Sequence, residues 1–499
     1  MKILMVYPHY PDTFWSFKHA LGFIRKKAAF PPLGLLTVAA MLPVKWEKKV
    51  VDLNVNVLTD KDIQWADYVF ISAMVIQKDS VREVISRVKK QNKKIVAGGP
   101  LFTTEPEHFE EVDYLVLNEA EITLPLFLAD FEKGEAKHIY STDQHPPVTN
   151  TPIPLWSLIN MKKYSSMSFQ YSRGCPFNCE FCDITFLDGR IPRTKDTSQT
   201  LAELTAIYDA GWRGSLFIVD DNFIGNKNKL KNEILPAIIE WQKRHKNPFT
   251  LFTEASINLV DDDELMQLMT TAGFNRVFIG IETPNEASLN ECSKNQNTSR
   301  DLVAAVKKIH NSGMEVMAGF IVGFDNDPAS IFKAQINFIQ NSGIVTAMVG
   351  LLNAPKGTRL YQRLKGENRL LKEDFSGDNM DFSLNFEPKM KKESLITGYH
   401  HVLDTIYSPK HYYERVKTLL KEYKPKTRIK MPTIKFNEMI ALIKCVWFMG
   451  IVEKGRRYYW KLFASTLLTR PRSFPMFITL SVYGYHFRKV INKCVSIPS

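Results

Sequence analysis

The sequence predicts an α/β protein in which two successive parallel sheets are followed by a mainly helical part. Residues 1 to about 130 alternate short apolar runs with helical patterns, and the same alternation returns from Ser165 to about Leu352. This alternation is typical of parallel sheets covered by helices on both faces. Beyond Ala354 the alternation stops and long helical patterns follow. We therefore expect a Rossmann-like doubly wound sheet, a partial TIM barrel and a mainly helical carboxyl-terminal extension.

The composition is that of a globular protein with several domains. The 499 residues are 44% hydrophobic and 24% charged, which allows two or three domains with separate cores. The first residues contain too short an apolar run for a signal peptide. Six cysteines in so long a chain do not indicate a disulfide framework. We expect a location in the reducing cytoplasm.

The net charge of +12 belongs to the end of the chain. Residues 405–499 contain 19 Lys and Arg against 4 Asp and Glu, so residues 1–404 are slightly acidic. The apolar runs Ile440–Val452 and Phe474–Phe487 are shorter than the roughly 18 to 20 residues that a bilayer crossing needs. Two interpretations stay open, a helical cap on the barrel and an interfacial helix in peripheral contact with a membrane. No nucleic acid partner is expected, because no recognition module accompanies the charge.

The first unit, residues 1–134, is predicted to contain strands and helices in alternation. They are the strands Lys2–Tyr7, Lys49–Leu53, Tyr68–Ala73, Lys94–Ala97 and Asp113–Leu117, and the helices Leu33–Leu42, Lys78–Gln91 and Ile122–Glu132. Ligands of such sheets bind at the carboxyl ends of the strands. Ser72 ends the third strand and Gly98-Gly99 ends the fourth, where small residues let another molecule approach the backbone. A tight strand-to-helix turn would explain the glycine pair equally well.

Residues 135–160 are polar and contain several prolines, which predicts a linker. The second unit, residues 161–380, is predicted to be the partial barrel. Its strands are Ser165–Tyr171, Ser215–Val219, Thr250–Ala255, Arg276–Ile281, Glu315–Val322 and Thr346–Leu351, with the helices Ser198–Ala210, Asp262–Thr271 and Ser299–Ser312 between them. Polar residues recur where these strands end, namely Asp220, Asp221, Asn222, Glu254, Ser256 and Glu282, and two glycines, Gly319 and Gly323, frame the strand Glu315–Val322. Each alone is equally expected as a cap or turn residue, but their recurrence at strand ends predicts a site.

Three cysteines, Cys175, Cys179 and Cys182, follow the first barrel strand at Cys-x3-Cys-x2-Cys spacing. Three thiolates on a short loop can ligate three irons of a [4Fe-4S] cluster and leave the fourth iron open for a reaction. The alternative is structural zinc, which needs four ligands and usually a second cysteine pair or histidines. The other cysteines are isolated, and the nearest histidines, His145 and His245, are distant in sequence.

With Phe181 directly before the last cysteine, this loop resembles the radical S-adenosylmethionine (SAM) superfamily. The resemblance implies that the open iron binds SAM, and that an electron from an external flavodoxin- or ferredoxin-type donor cleaves SAM to methionine and a 5′-deoxyadenosyl radical. It further implies that Asp220 to Asn222 meet the methionine amino group, and that Glu254, Ser256 and Glu282 face the carboxylate or ribose. The backbone from Ile321 to Gly323 would then line the adenine, and Phe181 and Gly319 would also belong to the SAM site.

The first unit, in turn, resembles the cobalamin-binding domain of B12-dependent radical SAM enzymes. The resemblance implies that Ser72, Gly98 and Gly99 flank the nucleotide tail of cobalamin, and that Glu119 belongs to a motif, Asn118 to Glu121, often written Gly-Glu-Gly-Glu. The Asp-x-His-x-x-Gly motif that supplies a cobalt-ligating histidine in other B12 methyltransferases is missing, and His9 stands in a Pro-rich loop instead. We therefore expect cobalamin without a protein histidine on its lower face.

The last unit, residues 381–499, resembles the DUF4070-like extension of a B12-binding radical SAM subgroup that includes the hopanoid C-methylases. The segments that carry this resemblance are Asn385–Met390, Gly398-Tyr399 and Ile406–Val416. The resemblance implies a methyltransferase acting on an unactivated carbon of a small molecule, with a lipid or another hydrophobic compound favoured. Two alternatives remain, a B12-dependent radical SAM enzyme that catalyses a cyclisation or rearrangement, and a cobalamin- or redox-responsive binding protein.

Overall fold

The amino-terminal part forms a parallel sheet of six strands in the order β2-β1-β3-β4-β5-β6. In the computed structural model, which describes residues 1–371, 376–378, 380–424 and 436–495, these strands are β1 Lys2–Tyr7, β2 Glu47–Asp52, β3 Tyr68–Ser72, β4 Lys94–Gly98, β5 Tyr114–Val116 and β6 Ile139–Tyr140. The helices around the sheet are α1 Lys18–Leu21, α2 Leu33–Met41, α3 Asp60–Trp65, α4 Lys78–Lys89, α5 Pro100–Thr104 and α6 Ala120–Lys133. The five predicted strands are confirmed. Strand β6 was not predicted from the sequence. It lies inside the segment expected to be a linker and pairs with β5.

Both faces of the sheet are apolar. Alternate residues of a strand point to opposite faces, so they enter different apolar clusters. Leu4 and Val6 of β1 lie in the cluster that includes α4, whereas Ile3 and Met5 lie in the cluster formed with α2 and α6. This double burial explains why β1 is a continuous apolar run and confirms the doubly wound arrangement.

The central part forms a second parallel sheet of six strands, in the order β14-β13-β12-β11-β10-β7. Its strands are β7 Met167–Phe169, β10 Gly214–Ile218, β11 Phe249–Ala255, β12 Phe274–Glu282, β13 Glu315–Val322 and β14 Ala347–Leu351, and a small antiparallel pair, β8 Ser172–Arg173 and β9 Arg193–Thr194, follows β7. Its helices are α7 Ile184–Leu187, α8 Thr197–Asp209, α9 Lys227–Lys229, α10 Leu235–Arg244, α11 Asp263–Ala272, α12 Glu286–Glu291, α13 Leu302–Ser312, α14 Ile331–Ser342 and α15 Arg359–Gly366. The predicted partial barrel is thus confirmed, with β7 and β14 at the two edges of its open side.

A segment of the first unit, residues 13–30, lies along this open side. At one end, the carbonyl oxygen of Ala28 accepts a hydrogen bond of 3.0 Å from the backbone N–H of Ser165, just before β7. At the other end, the indole N–H of Trp15 lies 3.0 Å from the sulfur of Met348 in β14. The aromatic segment between β1 and α2 therefore covers the gap between the first and last barrel strands.

The carboxyl-terminal part is helical, as expected, with α16 Lys392–Tyr407, α17 Pro409–Glu422, α18 Phe436–Trp447, α19 Arg456–Thr469 and α20 Phe474–Val495. Helix α20 packs inward, since the ring of Phe487 stacks on Phe14 at 4.1 Å and the imidazole of His486 lies 3.0 Å from the carbonyl oxygen of Phe14. The apolar run Phe474–Phe487 thus contributes to a cap on residues 13–30. Among the helices that the structure describes, none is long and apolar enough to cross a bilayer. The domain boundaries at residues 134, 160 and 380 stay predictions.

Candidate functional site

The cysteine loop leaves β8 through Gly174, whose φ of +93° favours glycine. A Cβ on Gly174 would lie 2.8 Å from the carbonyl oxygen of Ile191, so the loop passes directly against the segment before β9. The backbone N–H of Cys175 donates to the carbonyl oxygen of Gly189 at 3.2 Å. These contacts fix the direction in which the loop presents its first thiol.

The far end of the loop is held by Glu180, whose side chain is largely buried. Its carboxylate accepts two hydrogen bonds from Arg363 of α15, at 2.7 Å and 3.0 Å. The backbone N–H of Glu180 donates to the carbonyl oxygen of Cys292 at 2.9 Å. A bidentate charge-assisted pair fixes both position and orientation, so α15 clamps the loop between Cys179 and Cys182.

The surroundings of the three thiols fit an iron–sulfur cluster. Cys179 is buried and Cys175 and Cys182 are half-buried, and this burial raises the pKa of the Cys175 and Cys182 thiols. In the described ranges, no three His, Cys, Asp or Glu side chains converge as they would around one metal ion. A cluster does not require such convergence, because each thiolate binds a different iron. The donor set and its spacing therefore match a [4Fe-4S] cluster.

Lys294 places a positive charge beside these thiols. Its ammonium donates to the Glu282 carboxylate at 2.7 Å and lies 5.9 Å from the ring centroid of Phe181. Burial alone would lower the pKa of Lys294, but Glu282 and the thiols of Cys179 and Cys182 raise it above its usual value. Lys294 is thus charged and suited to stabilise a negatively charged cluster. Sequence reasoning did not identify this residue.

Asp220, which was predicted to meet the methionine amino group, instead forms hydrogen bonds with other residues of the protein. Its two carboxylate oxygens accept hydrogen bonds from the backbone N–H of Tyr171 at 2.8 Å and the hydroxyl of Ser172 at 2.6 Å. The residue is fully buried, and burial raises its pKa to about 6. Asp220 therefore anchors the start of the cysteine loop to the end of β10.

Asp221 and Glu254 are the predicted carboxylates without such partners. Neither side chain hydrogen-bonds to another residue within the described part of the chain. Burial raises the pKa of Glu254 to about 7. Burial, followed by the nearby charges of Asp188 and Glu254, raises the pKa of Asp221 well above its usual value. A bound ammonium group would supply the missing positive charge, so this pair fits the amino group of SAM better than Asp220 does.

Asn222 and Ser256, both predicted SAM residues, bond to each other across neighbouring strand ends. The side-chain oxygen of Asn222 accepts from the backbone N–H of Ser256 at 3.1 Å and from its hydroxyl at 3.3 Å. These contacts hold the ends of β10 and β11 together. A contact of either residue with SAM stays a prediction.

Three further predicted SAM residues belong to β12 and β13: Glu282 ends β12, Gly323 follows β13, and Gly319 lies inside β13. Glu282 adopts a φ of +63°, which is unusual for a residue with a side chain, and directs its carboxylate to Lys294. A Cβ on Gly319 would lie 3.0 Å from the ring of Phe278 on the barrel interior. Gly323 has a φ of +105° and donates its N–H to the Asp327 carboxylate at 2.9 Å. Glycine is thus needed at Gly323 for backbone conformation and at Gly319 for space.

All four residues predicted to contact cobalamin, namely Ser72, Gly98, Gly99 and Glu119, line one cavity of about 360 Å³. The opposite wall comes from the barrel, with Gln170, Arg173, Asp188 and Val219. A Cβ on Gly98 would overlap the carbonyl oxygen of Val116, and one on Gly99 would lie 2.9 Å from the Ser72 hydroxyl. Glycine at these two positions, which we call the Gly98-Gly99 cradle, therefore lets β4 end close against β5 and Ser72 at the wall of the cavity. Contact of this cradle with the cobalamin nucleotide stays a prediction.

His9 is not part of this cavity. Its backbone N–H donates to the hydroxyl of Ser80 at 2.9 Å, and burial lowers the pKa of its imidazole. No histidine is among the described residues that line the cavity. This placement agrees with the expectation of cobalamin without a protein histidine ligand, which stays a prediction.

A buried ion network joins the two cofactor regions. Arg173, directly before Gly174, donates to Glu119 at 2.8 Å and to the two oxygens of Glu121 at 3.0 Å and 2.8 Å. Arg193 of β9 also donates to Glu119, at 2.9 Å. Glu119 is therefore a bridging residue as well as a cavity residue. Sequence reasoning did not identify Arg173 or Arg193, although Arg173 is adjacent to the cysteine motif.

Comparisons with known families match three successive regions of the chain. A B12 binding domain matches residues 25–128, the radical SAM superfamily matches residues 169–339, and a domain of unknown function (DUF4070) matches residues 358–497. The matches follow the order of the two sheets and the helical extension.

The chain is also similar to whole proteins. It is 42% identical to an uncharacterized methyltransferase of Synechocystis, over 98% of this chain and 91% of that protein. It is 34% identical to the hopanoid C-2 methylase of Rhodopseudomonas palustris, over 92% of this chain and 88% of that protein.

Two solved structures share the fold. The cobalamin-dependent SAM radical enzyme OxsB with aqua-cobalamin bound has a TM-score of 0.61 and 14% identity, covering 99% of this chain and 80% of that chain. The radical SAM methyltransferase TsrM of Kitasatospora setae, with cobalamin and a [4Fe-4S] cluster bound, has a TM-score of 0.60 and 14% identity, covering 99% of each chain. The cofactors are thus a [4Fe-4S] cluster, SAM and cobalamin, and the chain belongs to the B12-binding radical SAM methyltransferase family, in the group with a DUF4070 extension.

Proposed function

We propose that this enzyme methylates an unactivated carbon of a hydrophobic small molecule, with a polycyclic lipid as the favoured substrate class. The observation that carries the proposal is the apolar wall inside the barrel. Phe217 of β10 and Phe252 of β11 are paired in register, and Glu254 lies two residues beyond Phe252 on the same face of β11. Asp221 follows β10 and lies near enough to Glu254 for the two charges to interact. The rings of Phe217 and Phe252 stack at 4.7 Å, next to the proposed site of the SAM amino group.

Residues outside the barrel strands extend this apolar wall. Phe30 places its ring 5.1 Å from Phe217, and Trp15 lies 5.4 Å from Phe278 of β12. Phe252 is buried, whereas part of the surface stays accessible in the half-buried residues Trp15, Phe30, Phe217 and Phe278. A substrate without charged groups would bury its surface against these rings and so be held away from water. The similarity to a hopanoid C-2 methylase supports the same substrate class.

We assign separate cofactors to separate sets of side chains. We assign Cys175, Cys179 and Cys182 to the cluster and Asp221 with Glu254 to the SAM ammonium. Ser72 and the Gly98-Gly99 cradle would hold the cobalamin nucleotide. When bound, the cluster with SAM supplies a hydrogen-abstracting radical and cobalamin supplies the methyl group. An external flavodoxin- or ferredoxin-type protein would supply the electron.

The test is anaerobic turnover of the reconstituted enzyme with methyl-deuterated SAM and a polycyclic triterpenoid, read by mass spectrometry. We expect one labelled methyl group in the product and release of 5′-deoxyadenosine. A product without label would instead support a cyclisation or rearrangement. No deoxyadenosine under reducing conditions would support a binding protein.

Two variants separate the parts of the proposal. Cys179→Ala should lose iron, sulfide and SAM cleavage together. Phe217→Glu should keep the cluster and cobalamin and still cleave SAM, but should no longer methylate the triterpenoid, because a charge would stand in the apolar wall. Full methylation by Phe217→Glu would contradict the proposed substrate position.

A further inference from the structure

We propose that the carboxyl-terminal helices carry a surface that docks on an anionic lipid bilayer. The surface consists of Met439, Ile443, Trp447, Ile451, Val452 and Trp460, and we call it the apolar platform. These large apolar side chains are 41% to 62% exposed, whereas the inward face of the same helices is buried. The proposal goes beyond the methylation reaction and does not depend on which substrate is methylated.

The exposed face of α18 lies opposite the face by which the helix packs on the rest of the protein. Met439, Ile443 and Trp447 recur every fourth residue and so lie on one side of the helix. The other side carries Cys445, which is fully buried, and Phe448 follows with its ring 5.6 Å from both Phe23 and Tyr485. The helix is thus already anchored by its inner face, and its outer face is apolar as well.

Helix α19 extends the same surface. The indole N–H of Trp460 donates to the carbonyl oxygen of Gly450 at 2.8 Å, which places this ring beside Ile451. Arg457, Trp460 and Lys461 share one side of α19, and Leu468, 82% exposed, lies farther along that side. Exposed tryptophans with flanking basic residues are typical of helices that lie at a membrane surface.

The positive charge of the carboxyl-terminal helices favours an anionic bilayer as the partner. Residues 436–495 contain ten Lys and Arg against two Asp and Glu. One of the two acidic residues, Glu453, already accepts hydrogen bonds from Arg488. The side chains beside the platform, among them Lys454, Arg456 and Lys461, are exposed and basic. Such a surface repels a second copy of itself, whereas it complements anionic headgroups.

The experiment is flotation of the full-length protein with two kinds of vesicle, phosphatidylcholine alone and phosphatidylcholine with phosphatidylglycerol. We expect binding to the anionic vesicles that weakens as salt is added. The double variant Ile443→Glu, Trp447→Glu should abolish flotation. Arg457→Gln with Lys461→Gln should lower the partition coefficient by about fivefold per residue removed. Val44→Glu is the matched control, since Val44 is 97% exposed and lies outside the platform, and it should float like the wild type.

Three results would overturn the proposal. The first is wild-type protein that stays with the unbound fraction on anionic vesicles. The second is binding that the glutamate variant does not reduce. The third is a wild-type oligomer that the glutamate variant converts to monomers without any vesicle binding, which would assign the platform to self-association. Retained cobalamin loading and an unchanged melting temperature show that the variants fold.

Discussion

The substitution Glu121→Gln tests whether the ion network between the two cofactor regions stabilises their arrangement. The side chains of Glu121 and Arg173 are 4% and 13% exposed, and the two residues share two hydrogen bonds. Thr151 donates to the same carboxylate at 2.6 Å. Burial alone would raise the pKa of Glu121, but Arg173 and Thr151 hold it below its usual value. The carboxylate is therefore ionised and paired in the folded protein.

The expected effect follows from which contacts glutamine can keep. The amide oxygen can accept one of the two hydrogen bonds from Arg173, but the amide nitrogen cannot accept the other. The substitution therefore removes one charge-assisted hydrogen bond and one of the two carboxylates that neutralise Arg173. Loss of such a bond costs about 2 kcal/mol. For a cooperative unit of about 150 to 250 residues, a loss of about 2 kcal/mol lowers the melting temperature by about 4 to 8 °C.

The assay is thermal unfolding of the cofactor-free protein, followed by circular dichroism. Glu132→Gln is the control, because Glu132 lies on the same helix, α6, with its side chain 60% exposed and 4.0 Å from Lys45. Its removal should change stability by less than about 0.5 kcal/mol. Because the pKa of Glu121 is depressed, its contribution is present above about pH 4.3 and lost as the pH falls through the folded value. Equal melting temperatures for both variants at neutral pH would refute the role of the network.

Three further predictions concern the cofactor sites. In Gly98→Ala the new Cβ would meet the Val116 carbonyl oxygen. This variant should destabilise the first sheet by about 1 to 3 kcal/mol and weaken the retention of cobalamin. Gly22→Ala is the control and should do neither, because the space around Gly22 is open. Burial raises the pKa of Glu254 to about 7, so ionisation of this carboxyl group destabilises the folded protein. Glu254→Gln should therefore stabilise the cofactor-free protein by about 1 to 3 kcal/mol above pH 7. The same substitution should have no effect near pH 4, where the carboxyl group is neutral. A constant difference in melting temperature across this pH range would contradict it. His9→Ala should leave the absorption spectrum of bound cobalamin unchanged, and loss of a nitrogen-ligated cobalt signal would show that His9 is a ligand.

The strands were predictable from the sequence because both sheets are buried on two faces. β1 and β13 begin and end as expected, since their apolar runs are continuous and stop at charged or turn residues. The Gly98-Gly99 pair was informative for a steric reason, because few residues other than glycine fit a strand end that closely approaches another backbone.

Contacts between distant loops were not predictable in this way. Arg173 and Lys294 are single basic residues in loops, and no periodic pattern indicates which carboxylate each will meet. Asp220 and Asp221 are adjacent and chemically identical, so only the folded structure shows that Asp220 bonds to Tyr171 and Ser172 whereas Asp221 has no hydrogen-bond partner among the described residues. The aromatic segment 13–30 contains the four-residue helix α1 but no sustained helical or strand period, and its place along the barrel edge depends on the complete fold.

That aromatic segment also has a consequence for biosynthesis. His486 contacts Phe14 across a separation of 472 residues. At translation rates of about 5 to 20 residues per second, the ribosome needs roughly 25 to 95 s to produce the second partner after the first. During that interval Phe14, Phe17 and Phe23 lack the rings that shield them in the finished protein. We therefore expect the nascent chain to depend on chaperones until α20 emerges, and the packing of α20 on residues 13–30 to be the last step of assembly.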